Sequence, residues 1–503
     1  MADNQTIAEL LERAQLSQYT EKAEETKAEL SSLLNVVDDS KEFTTYCSDY
    51  LGLGKPGHRM RLKKAIASAI AEGWGQNQGG KSSNPFNKDD GRTAKLSEIM
   101  DYKTMVGSSN PKEVLSGITL VRKLVSAEVN PPIQQVIDQG FVPILVNHLK
   151  TADKNAVLLE CAWALTNIAS STHEHTNAVV KSGAVPLFIK NITHPQRAVQ
   201  EQCIWALGNI AGDNVGFRDI LLEQGAADAI VKELMPDPSL HPLSLLKNAA
   251  WTLSNLCRAK PKPLQKYTKK LVPVLGTLFQ TCKDPTVLSD ACWAFSYISD
   301  GSNEDIQIVL DAGIAGKLLD LLTFDKETNV PALRTIGNIC TGNERQTQSI
   351  IDAGFLVHLP GLLADDLLRI RKEAMWTLSN ITAGSINQIK SVLEEGIMGT
   401  VIDILRKDHN DVQKEAAYAI SNFINGGGEQ ELLQLVEMDC VPAMCALASG
   451  SQDAKCSQVI TEGLRWLVTA QDRYDGFPDI RMMIKQEGGL ELYDEVCGGR
   501  NVG

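Results

Sequence analysis

From about residue 96 to about residue 490 the apolar positions keep a helical spacing that restarts at regular intervals. Short turns mark the restarts: Gly140-Phe-Val-Pro143, Gly183-Ala-Val-Pro186 and Asp439-Cys-Val-Pro442, with related turns at Gly225, Gly313, Gly354 and Gly396. Glycine ahead of proline suits a helix start, because proline lacks an N–H that would be unpaired there. Between turns one helix is repeated almost residue for residue. It reads Glu160-Cys-Ala-Trp163-Ala-Leu-Thr-Asn167, Gln202-Cys-Ile-Trp205-Ala-Leu-Gly-Asn209 and Asn248-Ala-Ala-Trp251-Thr-Leu-Ser-Asn255. It continues as Asp290-Ala-Cys-Trp293-Ala-Phe-Ser-Tyr297 and Pro331-Ala-Leu-Arg334-Thr-Ile-Gly-Asn338, then Glu373-Ala-Met-Trp376-Thr-Leu-Ser-Asn380 and Glu415-Ala-Ala-Tyr418-Ala-Ile-Ser-Asn422.

Taking the fourth residue of each segment (163, 205, 251, 293, 334, 376, 418), the spacings are 42, 46, 42, 41, 42 and 42. Self-similarity at this period is the mark of armadillo and HEAT arrays, in which each helical unit buries its apolar face against the next. The expected fold class is all-α: a right-handed armadillo-repeat superhelix (solenoid) of about nine or ten repeats over residues 96–490, with a tail at 491–503.

Positions −3, 0 and +4 around the tryptophan lie on one helix face. That face repeats an acid or amide, an aromatic ring and an asparagine. A core does not need an asparagine in every helix, since a buried unpaired amide costs about 1–3 kcal/mol. A groove holding an extended peptide does need one, because the amide offers a donor and an acceptor to a peptide backbone. Parallel indole rings form slots for the stems of lysine or arginine, each adding about 0.5–2 kcal/mol of cation–π attraction. Glu160, Asp213, Asp290, Glu373 and Glu415 supply negative charge at or just beyond the column. The implied ligand is a basic, extended peptide.

Residues 5–73 carry helical patterning of a different kind, from Ile7-Ala-Glu-Leu10-Leu11 and Leu16-Ser-Gln-Tyr19 to Leu51-Gly-Leu53-Gly-Lys55-Pro56-Gly57-His58-Arg59 and a helix through Leu62, Ile66 and Ile70. This pattern resembles a sterile alpha motif (SAM) domain, a small helical module that binds itself or other partners. Residues 74–95 read as a flexible linker rich in Gly, Asn and Ser. Within it Gly75 to Ser82 satisfies Gly-x4-Gly-Lys-Ser. That phosphate-loop pattern needs a strand before it and a helix after it; here an Ala-rich helix precedes it and Asn84-Pro85 follows, so nucleotide binding is not expected.

Net charge is −13 over 503 residues, which disfavours nonspecific binding to nucleic acid or an anionic membrane and favours basic partners. No stretch approaches 18 uninterrupted apolar residues, and the N-terminus has no signal region. The 11 cysteines are scattered and include no Cys-x-x-Cys pair; Cys161 and Cys203 share one repeat slot, which fits reduced packing thiols. His173 and His175 read as exposed loop residues without a third metal ligand. No catalytic constellation stands out, so the expectation is a protein that is not an enzyme and uses no metal or cofactor.

The segments Ala-Leu-Thr-Asn-Ile-Ala-Ser170, Ala-Leu-Gly-Asn-Ile-Ala-Gly-Asp213, Trp-Thr-Leu-Ser-Asn-Leu-Cys-Arg258 and Trp-Thr-Leu-Ser-Asn-Ile-Thr-Ala-Gly384 resemble the importin-alpha family, adaptors that recognise nuclear localisation signals. The resemblance covers about residues 100–445 and thins toward 490. It implies a major peptide site formed by Ser126, Trp163, Asn167, Ser170, Thr176, Gln202, Trp205, Asn209, Asp213, Asn248, Trp251, Asn255, Asp290, Trp293 and Tyr297. Asp213 would pair with the key lysine. It implies a minor site at Arg334, Asn338, Thr347, Glu373, Trp376, Asn380, Glu415, Tyr418 and Asn422. Tyr418 stands where the family usually has tryptophan, and its smaller ring weakens that slot.

The implied function is nuclear protein import, in cytoplasm and nucleus, with proteins bearing Lys/Arg-rich localisation signals as partners. Family members begin with a basic segment that binds importin-beta; residues 1–95 contain no comparable run, so importin-beta recruitment and self-inhibition by that route are unsupported. The chain also lacks the family's extended acidic end. An alternative reading is a SAM-mediated oligomeric scaffold whose groove binds basic clients outside importin-beta-dependent import.

Overall fold

A computed structural model describes residues 93–127, 130–235, 237–451 and 453–498. The SAM-like segment at 5–73 and nearly all of the linker, with its phosphate-loop pattern at 75–82, lie outside the described residues. Every regular element among the described residues is helical. They fall into two compact units, one ending at Ala294 and one starting at Phe295.

In the first unit a repeat consists of two short helices and a long one. The clearest example runs His173–Lys181, Ala184–Asn191 and Arg197–Ala211. Thr172 starts the first helix by accepting a hydrogen bond from the His175 N–H. Gly183 then turns the chain with φ 78°, a left-handed conformation that costs glycine nothing. The same turn is made with positive φ at Gly140, Gly225, Gly313, Gly354 and Gly396, and at Asp439, as the sequence pattern predicts. The long helix buries Val199, Cys203, Ala206, Leu207 and Ile210 completely. Each large aliphatic side chain so buried contributes about 1.5–3 kcal/mol relative to exposure.

The long helices pack in sequence on one another: Pro111–Val125, Asn155–Ala169, Arg197–Ala211 and Leu243–Cys257 in the first unit. In the second, Lys326–Cys340, Leu368–Thr382, Asn410–Gly426 and Ala454–Arg473 do the same. Pro285–Ser299 is the long helix that carries Trp293 and Tyr297.

Polar side chains fix the register between repeats. Arg218, fully buried, donates to the carbonyls of Arg258 at 2.6 Å and Pro261 at 2.8 Å and so holds the loop of the following repeat. In the second unit Gln346 accepts from the Asn343 N–H at 3.0 Å, closing a capping box, and its Nε2 donates to the Asn303 carbonyl at 2.8 Å in the repeat before. Gln388 repeats the arrangement with the Ser385 N–H and the Glu344 carbonyl. Arg371 forks onto Asp408 at 2.9 and 2.8 Å. The last described helix, Gly489–Cys497, buries Leu492 and Val496.

Cysteines 161, 203, 257, 292, 340, 440, 445 and 456 are buried and form no disulfide. Burial pushes the Cys257 thiol up to about 12, so it packs as a small apolar group.

Candidate peptide-binding face

The repeated helix sets its −3, 0 and +4 residues one turn apart, and its inner face is apolar. Trp163, Trp205, Trp293, Trp376 and Tyr418 stay partly exposed, while Trp251 is nearly covered. What covers it is a contact absent from the sequence reading. A Cβ placed on Gly208 would come within 2.2 Å of Trp251 Cζ3 and 2.6 Å of Thr252 Oγ1. In the second unit a Cβ on Gly337 would meet Trp376 Cζ3 at 2.3 Å. Each of these rings therefore lies over the +3 position of the preceding rung, and in every rung that position is small: Thr166, Gly208, Ser254, Ser296, Gly337, Ser379 and Ser421.

The asparagine column has a structural task that the sequence argument had denied it. Asn209 Nδ2 donates to the Thr166 carbonyl at 3.3 Å, and Asn255 Nδ2 to the Gly208 carbonyl at 3.2 Å. Asn338 reaches the Ser296 carbonyl at 2.8 Å, Asn380 that of Gly337 at 3.4 Å and Asn422 that of Ser379 at 3.0 Å. In each case the acceptor is the +3 residue of the rung before. One amide hydrogen thus ties neighbouring helices together, and the rest of the amide remains for other partners. Asn167 heads the series by donating to Ser126 Oγ at 2.6 Å.

Around Trp205 two polar atoms are left without a hydrogen-bond partner: Gln202 Nε2, a donor, and Asn209 Oδ1, an acceptor, both on buried side chains. They sit at −3 and +4 of the same ring. An extended peptide backbone carries groups complementary to each.

One turn beyond Asn209 is Asp213. Its side chain is only 6% exposed, because the His173 ring covers it with Nδ1 2.7 Å from Oδ2. Asn214 Nδ2 donates to the same oxygen at 2.9 Å. His173, itself 56% exposed, stacks on Phe217 with centroids 5.3 Å apart. The expectation of an exposed loop histidine is thus corrected in part: His173 opens a helix and occupies the acid, because Thr172 starts that helix facing the end of the next long one. His175 bonds Ser171 Oγ at 2.9 Å and Gln134 Oε1 at 2.9 Å.

The remaining expected residues divide between face and core. Asn248, Ser170, Asp290 and Tyr297 are partly exposed. Ser170 Oγ donates to the Asn167 carbonyl at 2.9 Å. Thr176 and Thr347 are buried inside their repeats, donating to the carbonyls of Ala169 at 3.0 Å and Cys340 at 3.2 Å. Glu415 is half-buried; burial raises its carboxyl above the usual range, with Lys372 opposing the shift. Glu373, also raised by burial, is bonded to Arg334. Arg334 Cζ lies 5.3 Å from the Trp376 ring centroid. An equivalent trio that sequence reasoning missed is Arg122, Glu160 and Trp163: Arg122 Nε lies 2.8 Å from Glu160 Oε2, and its Cζ lies 4.4 Å from the Trp163 centroid. The signal was present, since Arg122 and Ser126 stand 41 residues before Trp163 and Asn167.

Long helices stacked repeat on repeat, most of them showing an aromatic ring, an asparagine or both on one face, form an array of armadillo-type repeats. The chain matches the armadillo/beta-catenin-like repeat family at residues 130–170, 172–212 and 343–383, and the HEAT-like repeat family at 244–298. It is homologous to proteins named importin subunit alpha. It is 44% identical over 273 residues to importin subunit alpha-3 of Arabidopsis thaliana, covering 54% of this chain and 51% of that protein. It is 48% identical over 262 residues to importin subunit alpha-B of Dictyostelium discoideum, covering 52% and 50%. The chain spans about half the length of these curated relatives. An engineered protein of solved crystal structure aligns with a TM-score of 0.69 at 25% identity, over 81% of this chain and 99% of that one.

Proposed function

We propose that this chain is an adaptor in nuclear protein import, moving between cytoplasm and nucleus. It binds Lys/Arg-rich localisation peptides in extended form, with a major site on the Trp163–Trp205–Trp251–Trp293 rungs and a minor site on the Trp376–Tyr418 rungs. The observation that carries the reading is the unpaired donor and acceptor flanking Trp205. Left alone, each costs about 1–3 kcal/mol, and a peptide backbone laid across the ring satisfies both once the two amides turn outward from their covered positions. The rings add cation–π slots worth about 0.5–2 kcal/mol each, and Asp213 supplies the anion for one lysine once His173 moves aside. Homology to importin alpha subunits supports the assignment to transport, and the reading gives the chain no catalytic role.

A fluorescence-anisotropy titration of a Lys-rich signal peptide with the full chain tests it. Binding at micromolar affinity or tighter, lost in Asp213→Lys, is expected. Equal affinity for the signal peptide and a lysine-to-glutamate version of it would refute the reading.

A further inference from the structure

We propose that Arg122 and Arg334 are built-in occupants of the first cation slot of each unit, and that they fix where a bound basic peptide must end. The inference rests on the peptide-binding reading above and adds a specificity device to it.

The same trio occurs twice, in separate units. An arginine stands in the ring position of one rung, a glutamate at −3 of the next rung, and the tryptophan of that next rung beneath the guanidinium. Arg122 pairs with Glu160 through Nε at 2.8 Å and Nη2 at 3.5 Å while lying 4.4 Å from the Trp163 centroid. Arg334 pairs with Glu373 while lying 5.3 Å from the Trp376 centroid. The arginine thus takes both attractions that a ligand cation would seek: the ring quadrupole and the carboxylate. In each unit the trio precedes the first slot walled by two aromatic rings, Trp163 with Trp205 and Trp376 with Tyr418. A peptide cation therefore enters those slots but meets a guanidinium one position earlier. Like charge and an already paired acid both exclude it.

The two occupants differ in depth. The Arg122 side chain is 11% exposed and that of Arg334 43%. Arg122 is the firmer stop, and Arg334 the one a longer peptide displaces more easily.

The test uses the full chain and three peptides: a core Lys-rich peptide, and the same peptide with one further arginine at its N-terminal or its C-terminal end. Arg122→Met keeps the apolar stem over Trp163 and removes the charge, leaving Glu160 unpaired. In the wild type neither extension changes affinity more than about twofold. In Arg122→Met one of the two extensions, and not the other, tightens binding by about tenfold. Arg334→Met is the independent second variant, in which the same extension gains about threefold at the second unit. Circular dichroism and an unchanged thermal unfolding midpoint establish that each variant is folded. Folded variants that gain nothing from either extension would overturn the inference while leaving the peptide-binding reading intact. A wild-type chain that does not bind the core peptide would overturn both.

Discussion

Replacing Gly208 by alanine places one methyl group against the wall of a slot. The added Cβ would lie 2.2 Å from Trp251 Cζ3 and 2.6 Å from both Trp251 Cε3 and Thr252 Oγ1. Ordinary contact needs about 3.5–4 Å, so the indole must retreat by more than about 1 Å. The neighbours resist, because Trp251 is 9% exposed and Thr252 is held by a 3.0 Å hydrogen bond to the Ile204 carbonyl. Overpacking of this kind costs about 1–3 kcal/mol. Alanine returns about 1 kcal/mol in helix propensity, leaving a net loss of about 0–2 kcal/mol. Binding suffers separately: a ring moved by that distance forfeits much of a cation–π contact, about 0.5–2 kcal/mol or roughly 2–30-fold in Kd. Thermal unfolding and calorimetric titration with a Lys-rich peptide measure the two effects. Gly399→Ala is the control, since nothing lies within 4 Å of its Cβ and it should stabilise slightly. If Gly208→Ala matched the control in Tm and the wild type in Kd, the packing of Trp251 over the preceding rung would be refuted.

Arg218→Ala should lower stability by about 3 kcal/mol, because it strands the Arg258 and Pro261 carbonyls and empties a buried site; a change below about 0.5 kcal/mol in denaturant unfolding would contradict that role. His173→Ser uncovers the Asp213 carboxylate and should tighten binding of a lysine-bearing peptide about two- to fivefold in anisotropy titrations, whereas unchanged affinity would show that the ring does not compete. Burial raises the Asp408 carboxyl, but the hydrogen bonds from Arg371 and the His409 N–H, together with the Arg371 charge, outweigh it and leave the group below its usual 3.8. A depressed acid contributes stability that is present above its unfolded-state value and lost as pH falls through its folded-state value. Asp408→Asn should therefore cost about 0.5–1 kcal/mol at neutral pH, and the difference in stability between variant and wild type should shrink as the pH falls below the usual 3.8.

Much of the fold was legible because a repeat multiplies weak signals. One tryptophan on a helix says little, but the column from Trp163 to Tyr418 gives the period, the ring position and the turn at each Gly or Asp. Contacts between repeats were not legible, because they join residues about 40 positions apart that local patterning treats as unrelated. That is why the asparagines were read as ligands alone, although Asn209, Asn255, Asn338, Asn380 and Asn422 also bond the preceding helix. It is also why the uniformly small +3 residues and Arg122 went unremarked. Both become visible once the rungs are aligned and the facing positions of neighbours are compared. Nor was the burial of Thr176 and Thr347 legible: a threonine hydroxyl that caps a helix end inside its own repeat has the same sequence signature as one offered to a ligand.

The account depends most on the aromatic column being the surface that takes basic peptides, and comparing two tryptophans tests this directly. Trp205 lies in the column between Gln202 and Asn209, whereas Trp466, 50% exposed, lies outside it on Ala454–Arg473. The measurement is the Kd of one Lys-rich peptide for the full-length wild type, Trp205→Ala and Trp466→Ala, each verified as folded by circular dichroism. A loss of at least about tenfold in Trp205→Ala with no change in Trp466→Ala is the expected result. Equal affinity in all three proteins would contradict the account.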